Sequence, residues 1–423
     1  MADDQIAVVK AREILDTRAR PMVEVDVWTA GGALGRGASP CGTSVGRHEA
    51  CVLRDGGARY RGLGVQRAVR NVVDVIAPAI RGKSVLDQSA IDRLMIELDG
   101  TPGKSRLGAN AIYSVSIAVA RAAASVLQVP LYRHLGGLEA NLLPVPMFNM
   151  VNGGPQAAAE FQEFLLLPAT AVRYSEALRM GVEVFEALGE RIARRYGKER
   201  RHAGSSAGYA APVDDPAEIL DSLLEAADDA GYGGQCRVGL DCAASQFYDP
   251  ITGRYRWRGK TAGSEELIAY LCELARAYDL FVIEDPLEED DFAGFADLTR
   301  RLDTIIVGDD LFVTNIERVK QGVSLGAANA MVLKPNMVGT LSEALAAVRY
   351  AQEHGYLVVG SGRAGGSIDD PIPDVAVAVR APLVKFGAPR TGERIGKQNS
   401  LLRIEEELGE AGQYAGPALF RHR

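Results

Sequence analysis

The sequence predicts a two-domain α/β protein: an N-terminal α+β capping domain over residues 1–137, followed by a C-terminal β/α barrel over residues 138–423. Three observations carry this reading. A chain of 423 residues is long enough for two domains, one of them barrel-sized. Before residue 137 the pattern is strands followed by helices, and after it strands and helices alternate. Four short apolar runs then end on charged residues: CRVGLD on Asp241, LFVIED with Glu284, TIIVGDD with Asp309 and AMVLK on Lys334. Helix-sized segments separate them, which suggests successive parallel strands of a barrel.

In the first domain, AVVKAREILD and PMVEVDVWTAGGALGRGA read as strands joined by turns, with PMVEVDV alternating at period two. CGTSVGRHEA is a Gly- and Ser-rich loop and a candidate lid. VQRAVRNVVDVIAPAI, SAIDRLMIELD and ANAIYSVSIAVARAAASVL follow as helices, and LGGLEANLLPVP marks the domain boundary. In the second domain VPMFNMVN and EFQEFLLLPA read as strands, and RYSEALRMGVEVFEALGERIARRYG as a long amphipathic helix. After the four charged runs come YLVVGSGR and APLVKFGAP, then a terminal helix, ERIGKQNSLLRIEEELGE.

Composition narrows the partners. Hydrophobic content of 47% and charged content of 24% are ordinary for a globular protein. A net charge of −8 argues against nucleic acid or an anionic membrane surface as partner. No apolar run reaches membrane-spanning length, and the N-terminus lacks a leader's apolar core. Five cysteines without metal-type spacing fit a reduced, cytoplasmic protein, with Cys41 a small inert filler. His48 on the candidate lid and the basic segment RIARRYGKERRH read as solvated surface.

At the C-terminal ends of barrel strands, Asp241, Glu284, Asp309 and Lys334 would converge on one mouth. Crowded carboxylates need a cation, and an all-oxygen set suits Mg²⁺. An ordinary ion-pair network at the strand ends is the alternative that the four runs alone leave open. A lysine that acts as a base must lose its proton, and burial with nearby cations is expected to lower its pKa.

AREILDTRARPMVEVDV, SVGRHEACVLRDG, GANAIYSVSIA, PVPMFNMVNGG, GLDCAASQFY, VGDDLFVTN and NSLLRIEEELGE together resemble the enolase family, nearly end to end. The resemblance implies an enolase-type fold, usually a homodimer, with Mg²⁺, two ions in all, and a small anionic carboxylate/phosphate substrate of the 2-phosphoglycerate or phosphoenolpyruvate kind. It implies that Asp241, Glu284 and Asp309 bind Mg²⁺ and that Lys334 removes the proton next to the substrate carboxylate. Lys397 in GKQN would hold that carboxylate and Arg363 the phosphate. Gln162 and Glu163 in FQEF match the active-site Gln-Glu pair, and Ser44 the loop serine of the second Mg²⁺.

Other positions depart from the family. Gln156 stands where a histidine follows NGG, and Ala207 in SSAGYAAP where the glutamate acid belongs. In SGRAGG, Gly362 replaces a histidine, Ala364 a serine and Gly366 an acidic residue. The enolate-forming half of the site is kept and the half that expels hydroxide is altered. General-acid help is typically worth about 10²- to 10⁴-fold. The expectation is therefore a repurposed enzyme of secondary metabolism: a carboxyphosphonoenolpyruvate synthase-like transfer onto a second, phosphonate-bearing substrate. The alternatives are a glycolytic enolase, with Glu163 as acid, and a non-catalytic binding protein on the same fold.

Overall fold

The computed structural model describes residues 2–42, 45–154, 157–204 and 206–421. β1 (Ile6–Leu15), β2 (Pro21–Thr29) and β3 (Leu34–Ala38) form an antiparallel sheet in that order. Val23, Val25 and Val27 of β2 enter a core completed by α1 (Gln88–Asp99) and α2 (Ala109–Leu127). Glycines at 35 and 37 let α2 lie directly on β3. A Cβ at Gly35 would stand 1.9 Å from the Ala118 carbonyl oxygen, and one at Gly37 2.3 Å from that of Ser114.

α2 is apolar on all sides because it serves two cores. Ile112, Val115 and Val119 pack into the cap, while Tyr113, Ile117 and Ala120 pack against the barrel's outer layer. It is the one helix among the described residues long and apolar enough to cross a membrane, and 78% of its apolar window is buried.

Eight strands close the barrel: β4 (Val145–Asn152), β5 (Glu163–Pro168), β6 (Cys236–Asp241), β7 (Val282–Glu284), β8 (Ile305–Gly308), β9 (Ala330–Leu333), β10 (Leu357–Ser361) and β11 (Leu383–Gly387). They neighbour one another in chain order, and β11 pairs with β4 to complete the ring. From β6 to β11 every pairing is parallel, as the four charged runs predict. β5 differs and runs antiparallel to both neighbours. The loop from β4 to β5 carries no crossover helix, and a parallel return needs a dozen or more residues.

This inversion brings the start of β5, rather than its end, to the active mouth. Glu163 pairs in register with Asp241, and Asp241 with Glu284, so three carboxylates stand level on adjacent strands. Beneath them the lumen is filled by Val145, Met147, Leu165, Val282, Val307, Val332 and Val359. That packed floor fixes the depth at which the charged side chains sit.

Candidate active site

A cavity of about 780 Å³ opens at the strand C-termini, lined by Glu163, Asp241, Asp309, Lys334, Arg363 and Lys385 among others. Lys334 follows β9, and its ammonium pairs with Asp309 Oδ2. The Thr314 hydroxyl accepts from the Lys334 backbone N–H at 2.9 Å and sets where that side chain leaves the strand. Asp309 is placed by Asp285, whose two carboxylate oxygens accept the Asp309 and Asp310 backbone N–H groups at 2.9 and 2.8 Å. Gln162 Nε2 donates to Asp241 Oδ2 at 3.0 Å.

The largest electrostatic feature is one the sequence reading missed. Lys385, inside the apolar run of β11, donates to Asp241 Oδ2 at 2.8 Å and to Glu284 Oε1 at 2.6 Å, with Glu163 Oε2 at 3.6 Å. Burial pulls its pKa down, but Asp241 and Glu284 outweigh that and hold the ammonium well above the ordinary lysine range. Burial drives Glu284 well above the usual carboxylate range; Lys385 opposes this and Asp241 adds to it. Burial and then Asp309 push Asp310 up to about 7. Burial tends to raise Asp309 too, but the Lys334 and Lys385 charges bring it below its ordinary value.

The carboxylates outnumber these two lysines, and Glu284 Oε2, Asp309 Oδ1 and Glu163 Oε2 are buried without a hydrogen-bond partner among the described residues. Unmatched buried oxygens are costly unless a cation or donor meets them. Their all-oxygen character fits a hard divalent cation. Geometry adds Asp285 and Asp310: one oxygen from each of Asp285, Asp309 and Asp310 lies within 4.8 Å of the other two.

Two expectations are corrected here. Lys397 does not line the cavity; it lies buried behind Gly362, donating to the Glu393 carbonyl at 3.2 Å and facing Asp370 at 3.4 Å. The lysine that meets the carboxylate cluster is Lys385, whose signal was a charged residue in the middle of LVKFG. Lys334 was expected to have a lowered pKa. Burial does act downward, but the Asp309 charge more than offsets it and raises the ammonium above its ordinary value.

Arg363 is buried in the cavity wall, and its fork meets Glu49 of the capping domain at 2.5 and 2.7 Å. Such two-point pairing is the geometry by which arginine also reads carboxylates and phosphates. Arg47 joins the same loop to Glu288 and Glu289, and His48 Nε2 lies 2.8 Å from Asp290 Oδ1, so neither is merely solvated. Cys41 is buried, and desolvation raises its thiol pKa, as suits an inert filler. Gly362 and Ala364 line the cavity, whereas Ala207 is buried at a turn with φ 68°. Ser44 and Gln156 lie outside the described residues.

The site is thus a strand-end carboxylate cluster with buried lysines beside it, at the mouth of a β/α barrel under an α+β cap. The sequence model for "Enolase, N-terminal domain" matches residues 6–135, and that for "Enolase, C-terminal TIM barrel domain" matches residues 140–423. The Enolase of Methanopyrus kandleri is 50% identical over 419 residues, covering 98% of each chain. Those of Methanothrix thermoacetophila and Pyrococcus furiosus are 48% and 47% identical, and this chain is covered to 97% in both. The chain belongs to the enolase family and is a magnesium-dependent enzyme of that superfamily.

The comparisons overturn the expected transfer chemistry. The Enolases of Methanopyrus kandleri and Methanothrix thermoacetophila match end to end at about half identity, which supports an enolase and not a transferase of phosphonate or antibiotic assembly. Physically, the expectation leaned too far on Ala207. One missing carboxyl removes a proton donor from one position, but other titratable side chains line the same cavity.

Proposed function

We propose that the chain catalyses the reversible dehydration of 2-phosphoglycerate to phosphoenolpyruvate and water. The observation that carries this is Lys334 sharing one cavity with Asp241 and Asp309, with Glu284 level with Asp241 on the next strand, in a chain about half identical to enolases over its length. In this reading Lys334, in its neutral form, takes the proton from C2, and the electron pair moves into the adjacent carboxylate. Lys385 sits at the end of the cavity where that carboxylate would lie and supplies positive charge to it. Arg363 takes the phosphate, sharing its fork with Glu49 or displacing it. Gln162 orients Asp241, and Glu163 stands level with it as a second buried carboxylate.

Asp241, Glu284 and Asp309 would hold Mg²⁺, which when bound stabilises the negative charge that develops on the substrate carboxylate. The C2–C3 double bond then forms as the C3–O bond breaks, and the departing hydroxide takes a proton to become water. Five unpaired cysteines support a cytoplasmic location, and homodimeric assembly follows the family resemblance.

The test is formation of phosphoenolpyruvate from 2-phosphoglycerate, followed by its ultraviolet absorbance with Mg²⁺ and with excess chelator. Turnover in the ordinary enzyme range of roughly 1–10³ per second is expected with Mg²⁺ and none with chelator. No product above the uncatalysed rate would overturn the reading.

A further inference from the structure

Among the titratable side chains that line the cavity and remain outside the mechanism above, three are candidates for a part in it. Asp310 adjoins Asp309, and one of its oxygens lies within 4.8 Å of an oxygen of Asp285 and of Asp309, so it is part of the carboxylate cluster. Arg394 is buried beside Gly387, but a guanidinium does not give up a proton in water near neutral pH. The third is His202, the last residue of the basic segment that reads as plain surface in the sequence.

Its surroundings say otherwise. The main chain folds back on itself here: Ala210 N–H donates to the His202 carbonyl at 3.1 Å, and Gly204 N–H to the Gly208 carbonyl at 2.7 Å. Ala207 sits at the turn between these arms, so the position where the family carries its acid and the position of His202 belong to one folded loop. The loop brings His202 to the wall of the cavity that holds Lys334 and Glu163. His202 Nδ1 lies 3.1 Å from the Glu199 carbonyl oxygen. A carbonyl can only accept, so Nδ1 carries a proton, and Nε2 is the nitrogen left to exchange one. Among the described residues Nε2 has no partner, and the ring remains solvent-exposed at the cavity mouth. Of the other carboxylates lining the cavity, Asp241 is paired with Lys385, Asp309 with Lys334 and Glu49 with Arg363, while Glu163 lies 3.6 Å from Lys385.

We infer that His202 is the proton donor to the leaving hydroxyl, standing in for the glutamate that Ala207 replaces. The inference rests on the enolase reading above. After Lys334 has removed the C2 proton, the enolate electron pair forms the C2–C3 double bond and the C3–O bond breaks. The hydroxyl leaves with the proton from His202 Nε2, as water. The imidazolium becomes neutral imidazole with Nδ1 still protonated toward Glu199, and is recharged from solvent; Lys334 loses its extra proton to solvent. In the reverse direction His202 Nε2 takes a proton from the attacking water.

His202→Ala and His202→Gln separate this role from the first step. Two quantities are measured on each variant and on the unaltered enzyme: phosphoenolpyruvate formation, and deuterium incorporation at C2 of 2-phosphoglycerate in D₂O. The expected result is a loss of about 10²- to 10⁴-fold in phosphoenolpyruvate formation while C2 exchange persists. Added imidazole should restore part of the loss in His202→Ala. Dehydration within about threefold of the unaltered enzyme, or a parallel loss of exchange and dehydration, would overturn the role of His202 and leave the enolase reading standing. An unaltered enzyme that exchanges C2 but forms no phosphoenolpyruvate would overturn the dehydration reading itself, and this inference with it.

Discussion

Lys334→Ala is expected to lower both C2 exchange and phosphoenolpyruvate formation by about 10⁴-fold, the upper end of what a positioned base contributes. Its ammonium lies against Asp309 and is held above its ordinary pKa by that charge, so its readiness to act depends on what else neutralises Asp309. The same coupling gives the substitution a second signature. Removing Lys334 frees one oxygen of a carboxylate whose other oxygen has no hydrogen-bond partner among the described residues. Mg²⁺ binding by calorimetry should therefore persist or tighten in Lys334→Ala while catalysis disappears. Exchange within about tenfold of the unaltered enzyme would remove Lys334 from the role of base.

Lys385→Met is expected to have the next largest effect, and Lys397→Met is its control. Lys385 bridges Asp241 and Glu284 and faces Glu163, so its loss leaves several buried carboxylates without their shared countercharge. Breaking a buried ion pair typically costs about 3–5 kcal/mol, so the variant should unfold well below the unaltered protein. Mg²⁺, entering the same cluster, should raise its melting temperature more than it raises that of the unaltered protein. Where the variant is folded, turnover should fall by about 10²- to 10³-fold, as for loss of a donor that meets developing negative charge. Lys397→Met removes the contacts with Asp370 and the Glu393 carbonyl, away from the carboxylate cluster, so it should cost stability and leave kcat/KM near its original value. The reverse pattern in kcat/KM would restore Lys397 to the site.

Much of this site is legible in the sequence because its parts end apolar runs. Asp241, Glu284, Asp309 and Lys334 each break a hydrophobic stretch, and a charge in that place is conspicuous. Lys385 is charged too, but it lies within LVKFG, where pattern alone does not distinguish a buried functional lysine from a tolerated one. Glu49 could not be found in that way at all, and Asp285, though it closes LFVIED, gave no sign of what it holds. Glu49 matters because a capping loop folds onto Arg363, and Asp285 because its carboxylate holds the turn at Asp309 and Asp310. The two-domain alternation of elements was likewise visible, whereas the reversed direction of β5 was not. Glu163 reaches the mouth only because β5 starts there, a consequence of the short β4–β5 loop. Ala207 was visible as a departure, but its consequence depended on a fold-back that brings His202 to the same cavity.

The strand-end carboxylates are expected to hold a divalent cation within reach of the chemistry of Lys334. Anomalous diffraction from crystals of this protein grown with Mn²⁺, an ion that accepts the same oxygen ligands, tests it most directly. A peak bound by Asp241, Glu284 and Asp309 is expected. A peak confined to Asp285, Asp309 and Asp310, or no peak at this end of the barrel, would contradict it.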